Sequence, residues 1–188
     1  YPTKYINLDL GKIINLNNYE GLRIGFGGIT NSTFSRKYRL ESYVAYGTKD
    51  KEIKYHIGGA FRLNKDSYTW LGASYTNDIK EAASLDFIAE NNTFSVINPR
   101  NLNISKFYKY KVASLFIEHD IQPNLESVLK LSAGEFEPTF EYKYISNQKL
   151  LSEFNLTTAT LGLHYSPKNE YMNSPIGKTR IKNAFPQY

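Results

Sequence analysis

Three histidines, a set of carboxylates and one glycine-rich stretch are the residues whose types suit chemistry in this chain of 188 residues. His119-Asp120 has the composition of a proton-transfer pair, in which a carboxylate orients an imidazole. Neighbouring strand residues point to opposite faces, so the two meet only if the chain bends there. The stretch His119 to Asn124 reads as a turn. His164 needs a serine and an acidic or amide partner to converge on it before it can serve acyl transfer. Serine and asparagine are plentiful and no spacing selects a set, so that arrangement stays open. His56 follows Lys54 at strand spacing and has no second ligand or base at a productive distance in sequence. It reads as a polar wall residue. Asp78, Glu81, Asp86 and Glu90 lack the close, regular ligand spacing of a calcium loop. Gly25-Phe26-Gly27-Gly28 lacks the helix that follows a phosphate cradle, so small packing positions or a bend account for it. The sequons at Asn31, Asn91, Asn103 and Asn155 read as chance in an asparagine-rich chain. There is no cysteine, which excludes disulfides, thiolate metal sites and cysteine nucleophiles. The expectation is a protein with no catalytic residue, no cofactor and no metal site, and hence not an enzyme.

The elements that carry these residues are strands. From Glu20 to Leu63 the chain reads as three antiparallel strands, each about the 9–11 residues that a membrane-crossing strand needs. Ile53, Tyr55, Ile57, Gly59, Phe61 and Leu63 alternate with Lys54, His56, Gly58, Ala60 and Arg62. Leu40, Val44 and Tyr46 oppose Arg39, Glu41 and Gly47, and Leu22, Ile24 and Phe26 oppose Arg23, Gly25 and Gly27. Side chains alternate faces along a strand, so one side of the sheet is greasy and the other is polar and small. Two architectures give this pattern. In a soluble sheet the apolar face covers a core and the polar face meets water. In an outer-membrane barrel the apolar face meets lipid and the polar face lines the interior. Tyr38, Tyr43, Tyr46, Tyr55, Tyr68 and Trp70 fall toward strand ends, where an interfacial girdle would sit. The barrel is the favoured expectation. Arg23, Arg39, Glu41, Lys54, His56 and Arg62 then line the lumen. Leu22, Ile24, Phe26, Leu40, Val44, Ile53, Ile57 and Phe61 face lipid. On this reading Lys54→Ala or Arg62→Ala changes conductance or lumen contacts far more than folding.

Composition agrees with strands: 16 tyrosines and 11 phenylalanines against one Met and one Trp. Mean hydropathy is −0.48 and no run reaches 18 apolar residues, so no transmembrane helix is expected. A barrel tolerates that value, because only alternate residues need be apolar. The net charge of +5 is dispersed, with no basic cluster for nucleic acid. Anionic headgroups or lipopolysaccharide phosphates suit such scattered lysines and arginines better.

Along the chain, Tyr5 to Leu10 and Ile13 to Leu16 read as a first strand or strand pair broken at Gly11. Ser67 to Tyr75 is a strand with Tyr68, Trp70 and Gly72 against Leu71, Ala73 and Tyr75. Thr76 to Ser105 breaks the rhythm, with a short helix expected over Asp78 to Glu90. Phe107 to Glu118 is a long strand, with a bulge expected between Lys109/Lys111 and Leu115/Ile117. Leu125, Leu129 and Leu131 alternate with Glu126, Lys130 and Ser132, and Phe140, Tyr142 and Tyr144 with Glu141 and Lys143. Phe154 to Tyr165 is the last long strand, and Ser166 to Asn183 reads as loop. The chain opens at Tyr1 without Met, and Ala184 to Tyr188 reads as a strand entry. The expectation is one β-barrel region, 1–188, truncated at both ends and part of a larger barrel.

Asn18-Tyr19-Glu20-Gly21-Leu22-Arg23 and Tyr43 to Lys51, followed by Lys54-Tyr55, resemble the barrel part of a bacteroidete outer-membrane family of unknown function. Members carry a carboxypeptidase-regulatory-like domain before the barrel. His119 to Gly134 and Ser174 to Pro186 are loosely similar to surface-antigen barrels of the BamA and TamA type. The resemblance implies an all-β, antiparallel barrel in the bacterial outer membrane of a Gram-negative cell and supplies no catalytic residues. The expected partners are membrane lipid, lipopolysaccharide and other outer-membrane proteins, and not nucleic acid. The expected role is non-catalytic: transport, assembly or scaffold. The alternatives are a soluble antiparallel sheet that binds a ligand or glycan, and a barrel enzyme acting on lipid or peptide.

Overall fold

The computed structural model describes residues 1–9, 14–64, 68–82, 106–122, 124–141, 144–146, 149–165, 170–174 and 177–182. None of the described residues is helical. The main sheet contains β1 (Ile6–Leu8), β2 (Ile14–Asn17), β3 (Gly21–Thr30), β4 (Tyr38–Gly47), β5 (Ile53–Arg62), β6 (Thr69–Glu81), β7 (Phe107–Gln122) and β8 (Leu125–Pro138). Two short strands, β9 (Tyr144–Ser146) and β10 (Lys149–Leu151), pair only with each other. The long β11 (Phe154–Tyr165) then joins the main sheet beside β8. A final hairpin is made by β12 (Glu170–Ser174) and β13 (Gly177–Lys182).

All pairings are antiparallel, and from β3 to β8 each strand pairs with the next in sequence. Among the described residues the chain is therefore all-β, with a main antiparallel sheet of nine strands. β1 and β2 share one edge of β3, β1 against Gly28 to Thr30 and β2 against Gly21 to Ile24. This is the broken first strand read from the sequence. Its expected break at Gly11 lies outside the described residues. Among the described residues β11 does not pair with β1 or β2, so the sheet is open.

The open sheet is strongly curled. Arg23 on β3 reaches Asp78 on β6, and Arg39 on β4 reaches Glu118 on β7. Each pair is separated by two intervening strands, roughly 14 Å across a flat sheet at the usual strand spacing. Side chains that are hydrogen-bonded over that separation require a concave face, and the charged residues occupy it.

Several expectations are corrected. β6 continues through Glu81, so Asp78 to Glu81 is strand and not helix; the rest of the expected helix lies outside the described residues. β6 and β7 pair without a register shift from Thr69↔His119 to Glu81↔Phe107, so no bulge separates Lys109 from Leu115. The irregularity lies instead at Asp120/Gln122. His119 to Gln122 completes β7, leaving a far tighter turn before β8 than expected. Tyr144 belongs to β9, whereas Tyr142 lies outside the described residues. Residues 170–174 and 177–182 are strands where the sequence read as loop.

Candidate functional site

The convex face carries a continuous apolar belt. Leu22, Ile24, Phe26, Leu40, Val44, Ile53, Ile57 and Phe61 are all exposed, Phe26 and Ile57 at 63% each. The belt continues through Leu71, Tyr75, Leu115, Leu129, Leu131, Leu161 and Leu163. Soluble monomers rarely leave so much contiguous apolar surface in water.

The belt does not run square to the strands. One register row reads Phe26, Val44, Tyr55, Asn77, Lys111, Glu135, Asn155, turning from apolar to polar as it crosses the sheet. A second reads Tyr38, Phe61, Leu71, Ile117, Leu129, Leu161 and stays apolar. On β3 the belt centres on Ile24, before the first row; on β11 it centres near Gly162, well past it. The drift is about one and a half residues per strand, or roughly 5 Å of rise for every 4.8 Å of lateral spacing. The belt is thus inclined to the strands by about 45°, close to the tilt of strands in closed membrane barrels.

Behind the belt the concave face is charged and packed. Its first cluster starts at the turn between β2 and β3. Asn17 Oδ1 accepts the backbone N–H groups of Tyr19 (3.0 Å) and Glu20 (2.8 Å), and its amide donates to Glu20 Oε2 at 2.6 Å. Gly21 closes this turn at φ +70, a left-handed conformation that a side chain would strain. Glu20, 0% exposed, is thereby aimed inward. Arg23 lies 3.2 Å from Glu20 and forks onto both oxygens of Asp78, at 2.6 and 2.8 Å. The Tyr43 hydroxyl also donates to Asp78. Lys54, 2% exposed, lies 3.2 Å from Glu20 and bonds Asp50 on the β4–β5 turn.

The second cluster lies nearer the opposite strand ends. Arg39 forks onto Glu118 at 3.0 and 2.7 Å. Its guanidinium lies 5.3 Å from the Trp70 ring centre and 5.7 Å from that of Phe116. A side chain at Gly72 would run into the Phe116 ring, so glycine is what lets that ring lie flat across β6. Tyr68, just before β6, packs against Trp70, and its hydroxyl is held above the usual phenol range chiefly by burial and next by the Glu118 charge. Between the two clusters His56 stacks on Tyr43 at 5.4 Å, bonds Thr76 through Nδ1 at 2.7 Å, and lies 3.4 Å from Glu41.

All six residues expected to line a lumen therefore share the concave face, and all eight expected to face lipid are exposed on the other. The aromatic girdle is corrected in part: Tyr38, Tyr46 and Tyr55 are exposed, whereas Tyr43, Tyr68 and Trp70 are turned inward. Lys54 is buried and doubly paired, so replacing it is expected to cost folding as well, contrary to the sequence expectation. Of the partners of the interior cations, Glu20, Asp50 and Glu118 are not singled out as site residues in the sequence, and Asp78 is weighed there only as a calcium ligand. Asp78 shares the parity of Trp70 and Gly72, which was the available signal.

The remaining chemical candidates are dispersed. His119 bonds Thr69 and pairs across from it, while Asp120 takes the opposite face. His164 Nδ1 lies 3.4 Å from Glu126. Gly25 to Gly28 lies within β3, and a side chain at Gly27 would lie 2.5 Å from Tyr43 Cβ, so close packing explains that glycine. Among the described residues no three His, Asp or Glu side chains gather as metal ligands. Cavities indent the described part of the molecule. One, of about 380 Å³, is lined by Lys54, Asp78, Lys109, Tyr110 and Phe136 among others; another, of about 350 Å³, by Asp9, Ile29, Glu41, Tyr43 and His56 among others. In comparisons with protein families, curated proteins and solved structures, nothing matches this chain.

Proposed function

We propose that this chain is the membrane-embedded region of a bacterial outer-membrane β-barrel, with a non-catalytic assembly or scaffold role in preference to free conduction. The observation that carries the reading is the reversed burial. Arginine, lysine and glutamate are inside, while Ile57, Phe26 and Leu161 are exposed at 63, 63 and 68%. In water this arrangement discards the hydrophobic driving force. In lipid it places apolar side chains against hydrocarbon and leaves the charges to pair with one another. The inclination of the belt supports it independently, because an apolar band parallel to a membrane must cross tilted strands obliquely.

The preference for assembly or scaffold comes from the interior. Glu20, Arg23, Asp78, Lys54 and Arg39 join strands two and three apart in the sheet, filling space that a diffusion pore would give to water. The open edge of β11 suits continuation of the sheet into a larger barrel, as the resemblance to a bacteroidete outer-membrane family implies. Lipid, lipopolysaccharide and other outer-membrane proteins are the partners of this reading.

The test is made on the protein in the cell that produces it. Recovery in the outer-membrane fraction, with a mobility on gels that shifts on boiling, is the expected result. Recovery as soluble protein without a shift overturns the reading and turns attention to a soluble sheet that binds a ligand or glycan.

A further inference from the structure

The belt also separates the two ends of the sheet, and the ends differ. Between neighbouring strands of the main sheet, the connections at one end are residues 31–37, 63–68 and 123–124, none longer than seven residues, and β11 also ends there before the β12–β13 hairpin. At the other they are 18–20, 48–52, 82–106 and 139–153, the last two spanning 25 and 15 residues. At this second end β6, β7 and β8 also outrun the belt. Asn77, Lys111 and Glu135 mark its margin, and Glu81, Lys109 and Glu137 follow on the strands beyond it.

The projecting strands are packed and not frayed. Tyr110 stacks on Phe136 at 5.9 Å and Phe136 on Phe154 at 5.6 Å, while Tyr108 meets Phe140 and Phe154 edge-on at 5.4 and 5.8 Å. Lys109 ties the wall back to Glu52 on the β4–β5 turn at 2.5 Å, and Phe107 lies 5.9 Å from Tyr19 on the β2–β3 turn. The cavity of about 380 Å³ opens among these residues.

We infer that this end faces the cell exterior, and that the wall raised by β6, β7 and β8 beyond the belt stands clear of the bilayer on that side. The turns at 31–37, 63–68 and 123–124 then face the periplasm. The inference rests on the outer-membrane reading, and its physical basis is the asymmetry of such barrels, with short periplasmic turns and longer outer loops. A wall with lysines and glutamates on successive strands is also incompatible with burial in hydrocarbon, so this end has to stand clear of the bilayer.

The absence of cysteine makes the test direct. Glu137→Cys and Glu141→Cys mark the projecting end, and Thr33→Cys and Gln122→Cys the other; all four positions are exposed. Each is introduced singly into the full-length protein in its own cells, and a membrane-impermeant maleimide is applied before and after permeabilising the envelope. Glu141 and Thr33 lie outside strands, so a variant that misfolds at Glu137 or Gln122 leaves a second marker at each end. The expected result is label at 137 and 141 on intact cells, and at 33 and 122 only after permeabilisation. The reverse pattern overturns the orientation while leaving the membrane reading in place. Equal labelling of all four in protein recovered from the soluble fraction overturns both.

Discussion

Ile57→Arg separates a lipid-facing belt from a water-facing one by its magnitude alone. Ile57 is 63% exposed in the middle of the apolar face of β5, between Tyr55 and Gly59. Its register partners Ser42 and Tyr75 place it well inside the belt on β4 and β6. If that face meets water, an exposed isoleucine becomes an exposed arginine and the change stays within about 0.5 kcal/mol. If it lies near the bilayer midplane, the cost is about 2–4 kcal/mol, falling to roughly 0–1 near the interface. Ile53 supplies the internal control. It is equally exposed, at 62%, but it opens β5 beside the charged β4–β5 turn. Ile53→Arg is therefore expected to cost about 0–1 kcal/mol. The assay is reversible urea unfolding in lipid vesicles. The single tryptophan reports on it, because Trp70 is 1% exposed in the folded protein and gains solvent on unfolding. A loss at Ile57 that exceeds the loss at Ile53 supports the belt. Small, equal effects at both sites refute the lipid-facing assignment.

The interior makes separate predictions. Asp78→Ala leaves the buried Arg23 with Glu20 at 3.2 Å, so a cost near the lower end of about 3–5 kcal/mol is expected in the same unfolding assay, and a loss below about 1 kcal/mol contradicts the network. Arg39→Lys keeps the charge but loses the fork onto Glu118 and the guanidinium contact with the Trp70 ring; an unfolding cost of about 1–3 kcal/mol and a shifted Trp70 emission are expected, and an unchanged spectrum counts against that contact. Because the cross-sheet ion pairs fill the concave face, the full-length protein reconstituted in planar bilayers is expected to show no steady open-pore current; large, constant conductance steps would contradict a filled interior.

What the sequence made legible, and what it hid, have one physical cause. Alternation of period two is visible only where the two faces differ in polarity. Within the belt they do: Ile53 to Phe61 and Leu22 to Phe26 are apolar on one side and small or charged on the other, and β3, β4 and β5 were readable almost to the residue. On β6 after Tyr75 and on β7 after Glu118 both faces are largely polar. β6 therefore faded from view after Tyr75, although its ladder with β7 runs unbroken to Glu81. His119 to Gln122 looked like a turn for the same reason, since histidine, aspartate and glutamine are polar on either side of a strand. Two of the partners of the interior cations, Asp78 and Glu118, were hidden by distance. Asp78 lies 55 residues from Arg23, and Glu118 lies 79 from Arg39, and only the curl of the sheet brings them together. That curl has its own source in the small residues of the concave face. Gly25, Gly27, Ala45, Gly58, Ala60 and Gly72 leave room for long side chains from strands two and three away to cross the interior. The pattern that read as a small, basic strand face is thus half of a packing scheme whose other half is supplied by carboxylates on strands that the apolar signal no longer marks.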